Sequence, residues 1–229
     1  MNNNLLKRVI TSFFLLSILL IVNFTHHYIF ILLVLTIGIM VCYEANNIFS
    51  KLTILNTSRH KVINKELNFN FWILNILTFC YIFFVFCYFS YEIYRLKTPN
   101  FFLYVISICF FTDIGGYVFG KIIGGKKLTK ISPNKTISGT IGSFIFCMIP
   151  LILVLNLNYL DLELNFNNIF FCFFISLISQ IGDLFISYLK RKAKIKDTGK
   201  ILPGHGGVLD RVDGMIFAVP FSYFLLKLA

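Results

Sequence analysis

Seven apolar runs, each close to the length a helix needs to cross a bilayer, divide this chain and restrict what it can fold into. They are Val9–Phe24, Tyr28–Tyr43, Phe69–Tyr91, Phe101–Gly120, Ile137–Leu157, Asn168–Leu189 and Val208–Leu226. A backbone in hydrocarbon must satisfy its own hydrogen bonds, so runs of this kind become helices. Composition agrees, with 57% hydrophobic residues, only 14% charged and 28 Phe in 229 positions, and a mean hydropathy of +0.79. A soluble domain of this size needs more polar residues to cover its surface. The sequence predicts an all-α, polytopic transmembrane helical bundle of about seven spans, with about seven to nine as the range. It reads as a single integral membrane domain over 1–229, with N-terminal transmembrane helices in 1–100 and transmembrane helices with cytoplasmic motif loops in 101–229. The basic head Met1–Arg8 before Val9–Phe24 resembles a signal peptide, but the run lacks a small-x-small cleavage site and reads as an uncleaved first span.

Charge gives the orientation. With a cytoplasmic N-terminus, all but Arg95, Lys97 and Lys227 of the 21 Lys and Arg fall on the inner side, as the positive-inside rule asks. The polar segments Lys51–Asn68, Lys121–Thr136 and Lys190–Lys200 then face the cytoplasm, where nucleotides are. A formal net charge of +11 would suggest nucleic acid as the partner of a soluble protein. Here the cations sit in short loops beside apolar runs, where they set topology and meet anionic lipid or phosphate, so no nucleic acid is expected. The six cysteines all lie within the apolar runs and none has CxxC spacing, which argues against disulfides and zinc.

The densest chemistry lies in Gln180–Met215, where four acidic side chains, many basic ones and a glycine-rich turn sit between two apolar runs. Ionisable residues at membrane depth are expensive and mark function. Asp210 and Asp213 are three residues apart, on one face of an expected helix, and Asp183, Ser187 and Lys190 follow i, i+4, i+7 on the preceding one. If Asp183 meets Asp210 and Asp213, a cation must hold them, and Mg²⁺ suits a few carboxylates together with substrate phosphates. The bland alternative pairs Asp210 and Asp213 with Arg211 or nearby lysines. Lys190, Arg191, Lys192, Lys194, Lys196 and Lys200 either mark topology or, with Lys121, Lys126, Lys127 and Lys135, neutralise polyphosphate and a lipid headgroup. In Gly204–Gly207 the glycines let backbone N–H groups, including those at Gly206 and Gly207, point at an anion. His205 there is either a structural hydrogen-bonder or a participant.

Asp113 interrupts the fourth run and either lines a cavity or pairs with a buried basic residue; Tyr117 and Lys121 share its helical stripe. Gly116 and Gly120 form a small-xxx-small pair suited to close helix packing. The stretch GKIIGGKK from Gly120 to Lys127 misses the phosphate-loop pattern at its last position and follows a helix rather than a strand, so it is not one.

Three pieces carry a family resemblance: SYLKR from Ser187 to Arg191, Lys196 with Asp197, and LPGHGGVLDRVD from Leu202 to Asp213. With DIGGYVFG from Asp113, Lys126 to Leu128 and SPNKT from Ser132 to Thr136, they resemble the phosphatidate cytidylyltransferase (CDP-diacylglycerol synthase) family. The resemblance implies a bacterial inner-membrane protein, a helical homodimer and a Mg²⁺-dependent transfer from CTP to phosphatidate, yielding CDP-diacylglycerol and pyrophosphate. Whether a second, monovalent cation accompanies Mg²⁺ is left open. On this reading Asp183, Asp210 and Asp213 hold the metal, while Lys190, Arg191 and Arg211 neutralise charge and His205 joins the catalytic set. Ser132, Lys135 and Thr136 bind nucleotide or headgroup, and Asp113, Ser187, Lys196, Asp197, Gly206 and Gly207 complete the substrate site. Family members often carry Glu where this chain has Ser138 and a second Lys where it has Asn134.

Two other functions fit the same residues. One is a CTP-dependent lipid kinase acting on a polyprenol-type alcohol. The other is a non-catalytic anionic-lipid carrier or transporter, compatible with spans broken by glycine and Asp113. A CDP-alcohol phosphotransferase is excluded, since the chain has no DGxxAR run.

Overall fold

The computed structural model describes residues 17, 27–60, 65–96, 99–129, 132–133, 135–157, 160, 162–199, 201–202 and 206–228. The expected span Val9–Phe24, apart from Ser17, lies outside these, as do Asn134, Lys200 and Pro203–His205. Helices account for the regular structure: α1 (His27–His60), α2 (Lys65–Cys80), a π-helical stretch (Tyr81–Cys87), α3 (Tyr88–Leu96) and α4 (Pro99–Ile122). They continue as α5 (Ile137–Phe146), α6 (Ile149–Leu157), α7 (Phe166–Lys192), α8 (Leu209–Val212) and α9 (Met215–Leu228). Among the described residues β structure is limited to two isolated bridges, Lys127 with Thr136 and Leu202 with Gly206. Among the described residues, five segments are long and apolar enough to cross a membrane: His27–Leu55, Asn70–Arg95, Asn100–Ile122, Ile137–Leu157 and Phe166–Lys192. The protein is an all-α, polytopic membrane bundle.

Three expected boundaries move. The polar stretch Lys51–Asn68 is not a loop: α1 runs on to His60 and α2 begins at Lys65. Nothing between Glu44 and His60 is Gly or Pro, so no residue stops the helix there. The run Ile137–Leu157 breaks into α5 and α6 around Cys147 and Met148, because Pro150 has no N–H to continue the ladder. The last run, Val208–Leu226, is the single turn α8 followed by α9, separated at Asp213 and Gly214. With 14 residues, α9 reaches about 21 Å, less than a hydrocarbon core.

The described chain falls into two compact units. The first comprises the residues up to Tyr88 together with Leu189–Val212, and the second Phe89–Tyr188 together with those from Asp213 on. In the first unit, Phe30, Val34, Val41, Ala45 and Ile48 form the buried stripe of α1 at helical spacing. Leu32, Ile39 and Tyr43 lie exposed on its other side, as a lipid-facing surface requires. A Cβ on Gly38 would come within 3.0 Å of Cys87 Sγ, so α1 lies tightly against the π-helical stretch.

In the second unit, α4 and α5 pack through small residues. A Cβ on Gly116 would lie 2.8 Å from Ser143 Oγ, and one on Gly139 would lie 2.7 Å from the Gly116 carbonyl oxygen. Ser143 Oγ donates to the Thr112 carbonyl at 2.8 Å, closing the pair with an interhelical hydrogen bond. Helices in lipid gain little from burying apolar side chains, so close backbone approach of this kind supplies the attraction. All six cysteines are free thiols, four of them buried. Gly139→Val should lower stability in detergent by about 1–3 kcal/mol, read as a drop in thermal midpoint. Ile141→Val, on the exposed side of the same helix, should change it by less than about 0.5 kcal/mol.

Candidate functional site

The second unit holds a polar cavity of about 310 Å³. Asp113, Gly116 and Tyr117 of α4 line it, with Thr136, Gly139, Thr140 and Ser143 at and within the start of α5, and Gln180 and Asp183 of α7. Ser132 and Lys135 enter from the loop between α4 and α5. The two ends of that loop are joined by one antiparallel bridge, with Leu128 N donating to Lys135 O at 2.8 Å and Ile137 N to Lys126 O at 3.0 Å. Gly124 and Gly125 turn it at φ +63° and +103°, values that favour glycine. Thr136 caps α5, its hydroxyl accepting from Gly139 N at 3.1 Å. Ser138 Oγ donates to the Gly124 carbonyl and lies 3.0 Å from Thr136 Oγ1. Its one hydrogen is spent on Gly124, so Thr136 donates to Ser138. Ser138 therefore closes the loop that carries Lys135.

Within the cavity Lys135 forms an ion pair with Asp183, and Ser187 Oγ donates to Asp183 Oδ1 at 3.3 Å. The expected packing of Gly116 and Gly120 also holds, since a Cβ on Gly120 would meet Thr136 Oγ1 at 3.1 Å. Tyr117 and Lys121 share a stripe, joined at 3.5 Å through the phenol oxygen. Asp213 does not share a helical face with Asp210. It occupies the turn before α9 and accepts from Gly214 N at 3.0 Å. This turn packs on α7, where a Cβ on Gly182 would lie 3.0 Å from the Asp213 carbonyl oxygen.

The first unit holds the glycine-rich segment. α7 ends beyond Lys192 with Lys194 at φ +55°, and Ile195 N reaches back to Lys190 O at 2.9 Å. This is a Schellman stop built on lysine instead of glycine. Leu202 N donates to Gly206 O at 2.9 Å, and Gly206 has φ +88°. The amides entering α8 face the chain's own carboxylates. Gly207 N donates to Asp210 Oδ2 at 3.0 Å, while Val208 N and Leu209 N donate to Glu44 at 3.0 and 2.9 Å. Asp210 Oδ2 also accepts from Thr198 N at 2.8 Å, and its Oδ1 accepts from Lys190 Nζ at 2.8 Å. Burial alone would raise the Asp210 carboxyl, but the hydrogen bonds from Lys190 and from the Gly207 and Thr198 amides more than offset it and hold it below the ordinary aspartate range.

Arg191, Lys196, Asp197 and Arg211 are exposed, and His205 lies outside the described residues. Glu44, which sequence reasoning passed over as the end of a span, is fully buried at 0% exposure. The signal for it was a lone carboxylate in an apolar run. Among the described residues no three His, Cys, Asp or Glu side chains are gathered so as to hold a metal by themselves.

Fold and cavity together define an integral membrane protein with a charged, oxygen-rich site among its helices. The Cytidylyltransferase family matches residues 46–229, and the chain belongs to that family. A protein of Bacillus subtilis (strain 168) named phosphatidate cytidylyltransferase is 42% identical over 131 residues, 55% of this chain and 46% of the relative. Proteins of the same name from Staphylococcus haemolyticus (strain JCSC1435) and Staphylococcus aureus (strain COL) are 42% identical over 129 and 134 residues. These matches take in 56% and 58% of this chain, and 49% and 51% of the relatives. The chain spans about half the length of the curated relatives it matches.

The Lys190–Asp210 pair is enclosed, with side chains 11% and 7% exposed. Lys190→Met, which removes the cation but leaves Asp210 its two amide donors, should cost about 1.5–3 kcal/mol of stability. The double variant Lys190→Met/Asp210→Asn should recover part of that loss in a denaturation-based double-mutant cycle.

Proposed function

We propose that this chain is a Mg²⁺-dependent phosphatidate cytidylyltransferase of phospholipid biosynthesis, converting CTP and phosphatidate to CDP-diacylglycerol and pyrophosphate. It would work as a homodimer in the bacterial inner membrane with its site on the cytoplasmic side. The observation that carries the reading is the cavity that gathers Asp113, Lys135 and Asp183 with hydroxyl-bearing residues, in a chain of this family. The name borne by the relatives supports it.

The nucleophile would be the phosphate of phosphatidate, a monoester with a second pKa of about 6. It is largely dianionic at neutral pH, so it needs no strong general base. The obstacle is bringing two polyanions together, which calls for cations. Lys135, with Ser132 and Thr136, would bind a phosphate of nucleotide or headgroup, and Asp113 and Ser187 would border it. Lys190, Arg191 and Arg211 would neutralise charge on substrate or pyrophosphate. Lys196, Asp197, His205, Gly206 and Gly207 are assigned to the same site through the motif they share with the family.

Asp113 and Asp183, with the nearby Ser132, Thr136 and Thr140 oxygens, make an all-oxygen set. Such a set fits Mg²⁺, which is held by one or two carboxylates together with substrate phosphates. Asp183 would be the chief ligand, with Asp210 and Asp213 completing the trio expected from the sequence; Asp210 would join only by exchanging Lys190 or an amide. Bound Mg²⁺ would supply Lewis-acid stabilisation of phosphoryl oxygens.

The test uses the purified full chain in detergent with phosphatidate, Mg²⁺ and CTP labelled at both the α- and γ-phosphorus. Cytidylyl transfer places α-label in lipid and γ-label in pyrophosphate. γ-Label in an added polyprenol would make the protein a kinase, and absence of any transfer by folded protein would leave a lipid carrier. Asp183→Asn and Asp210→Asn should each remain folded and lose about 10²-fold or more in turnover. Wild-type turnover by Asp210→Asn across a magnesium titration would remove it from the metal assignment.

A further inference from the structure

Glu44 is a buried carboxylate that the proposed reaction does not use. It stands in the middle of α1, two residues ahead of the segment 46–229 that the family matches. Three donors converge on it. Thr198 Oγ1 reaches Oε2 at 2.7 Å, Leu209 N reaches Oε2 at 2.9 Å, and Val208 N reaches Oε1 at 3.0 Å. Two glycines make the approach feasible: a Cβ on Gly199 would lie 2.6 Å from Oε1, and one on Gly207 would lie 2.7 Å from Cδ. A carboxylate enclosed at this depth is tolerable only with such partners. Every partner named here belongs to the segment between Thr198 and Leu209.

Thr198 passes the constraint on. Its hydroxyl lies 2.7 Å from Glu44 and 3.1 Å from Asp210 Oδ2, and a hydroxyl has one hydrogen to give. The shorter contact goes to Glu44, and the Thr198 amide serves Asp210 at 2.8 Å. Asp210 in turn holds Lys190. One carboxylate on a long membrane helix is thus connected, through one threonine, to the charged pair of the signature segment.

We infer that Glu44 is a positioning residue: it clamps Thr198, Val208 and Leu209 and so presets Asp210 and Lys190 for cytidylyl transfer. The kinetic part rests on the function proposed above, while the clamp itself is measurable without turnover. Glu44 touches no substrate and acts through Thr198, Val208 and Leu209.

Glu44→Gln keeps the shape but turns one acceptor oxygen into a donor. Hydrogen exchange on the full chain in detergent should show the Val208 and Leu209 amides exchanging about tenfold faster, with 99–122 unchanged. Its kcat should fall about tenfold or more while KM for CTP stays within about twofold, and its thermal midpoint should fall only by the few degrees that one buried donor facing another costs. Glu44→Asp, which keeps the charge, should recover part of kcat. Unchanged exchange at those two amides, wild-type kcat per folded molecule, or loosening spread over the whole chain would each overturn the clamp. If Glu44→Gln does not fold, Thr198→Val removes only the hydroxyl link and should shift exchange and kcat the same way; wild-type behaviour there would equally overturn it. If the wild-type protein transfers no cytidylyl group, the functional reading fails, and the exchange data still decide whether Glu44 clamps the segment.

Discussion

A carboxylate enclosed by an apolar helix has to draw its hydrogen bonds from the chain, because hydrocarbon offers none. Glu44 imposes that demand on the first unit, and the segment after α7 answers it. Composition alone would make this glycine-rich, basic segment a loosely held loop. Instead its amides at Gly207, Val208 and Leu209 are spent on Asp210 and Glu44. The N-terminus of a short helix is a natural anion site, and here it is filled internally. Thr198 and the amides of Gly207, Val208 and Leu209 are held because the polar groups on both sides would otherwise go unpaired.

The second unit meets the same demand by a different route. Side-chain-free contacts at Gly116 and Gly139 bring α4 and α5 together, and the polar groups at the end of that contact serve two purposes. Thr136 caps α5 and also lines the cavity. Ser138, beside it, ties the preceding turn at Gly124, so Lys135 is carried on a braced loop. Structural hydrogen bonding and the lining of the cavity therefore share residues.

The membrane class and the helical content were readable in the sequence from long apolar runs, and Asp113 and Asp183 from charges stranded in hydrophobic surroundings. Ser132, Lys135 and Thr136 stood out only through the resemblance of their motif to a family, and the structure lines one cavity with all five. The placement of Asp213 was not readable, because spacing of three residues suggests one helical face and only the break at Gly214 takes it off that face. The extent of α1 was misjudged because polarity was taken for a helix end, although no Gly or Pro supplied one. Glu44 escaped because its partners Thr198, Val208 and Leu209 lie more than 150 positions along the chain. A contact over that separation leaves no periodic trace.

Lys135 resting on Asp183 means that the cavity already contains a miniature salt before any ligand arrives. An anion that takes Lys135 strips Asp183 of its counter-charge, and a cation that takes Asp183 releases Lys135. Either guest alone must break the pair at its own expense, whereas a cation and an anion entering together replace it with like for like. Binding of the two is then mutually reinforcing, and linkage requires each to tighten the other by the same factor. The resident ion pair would make the site selective for charge-matched cargo: a metal and its polyphosphate as one neutralised unit.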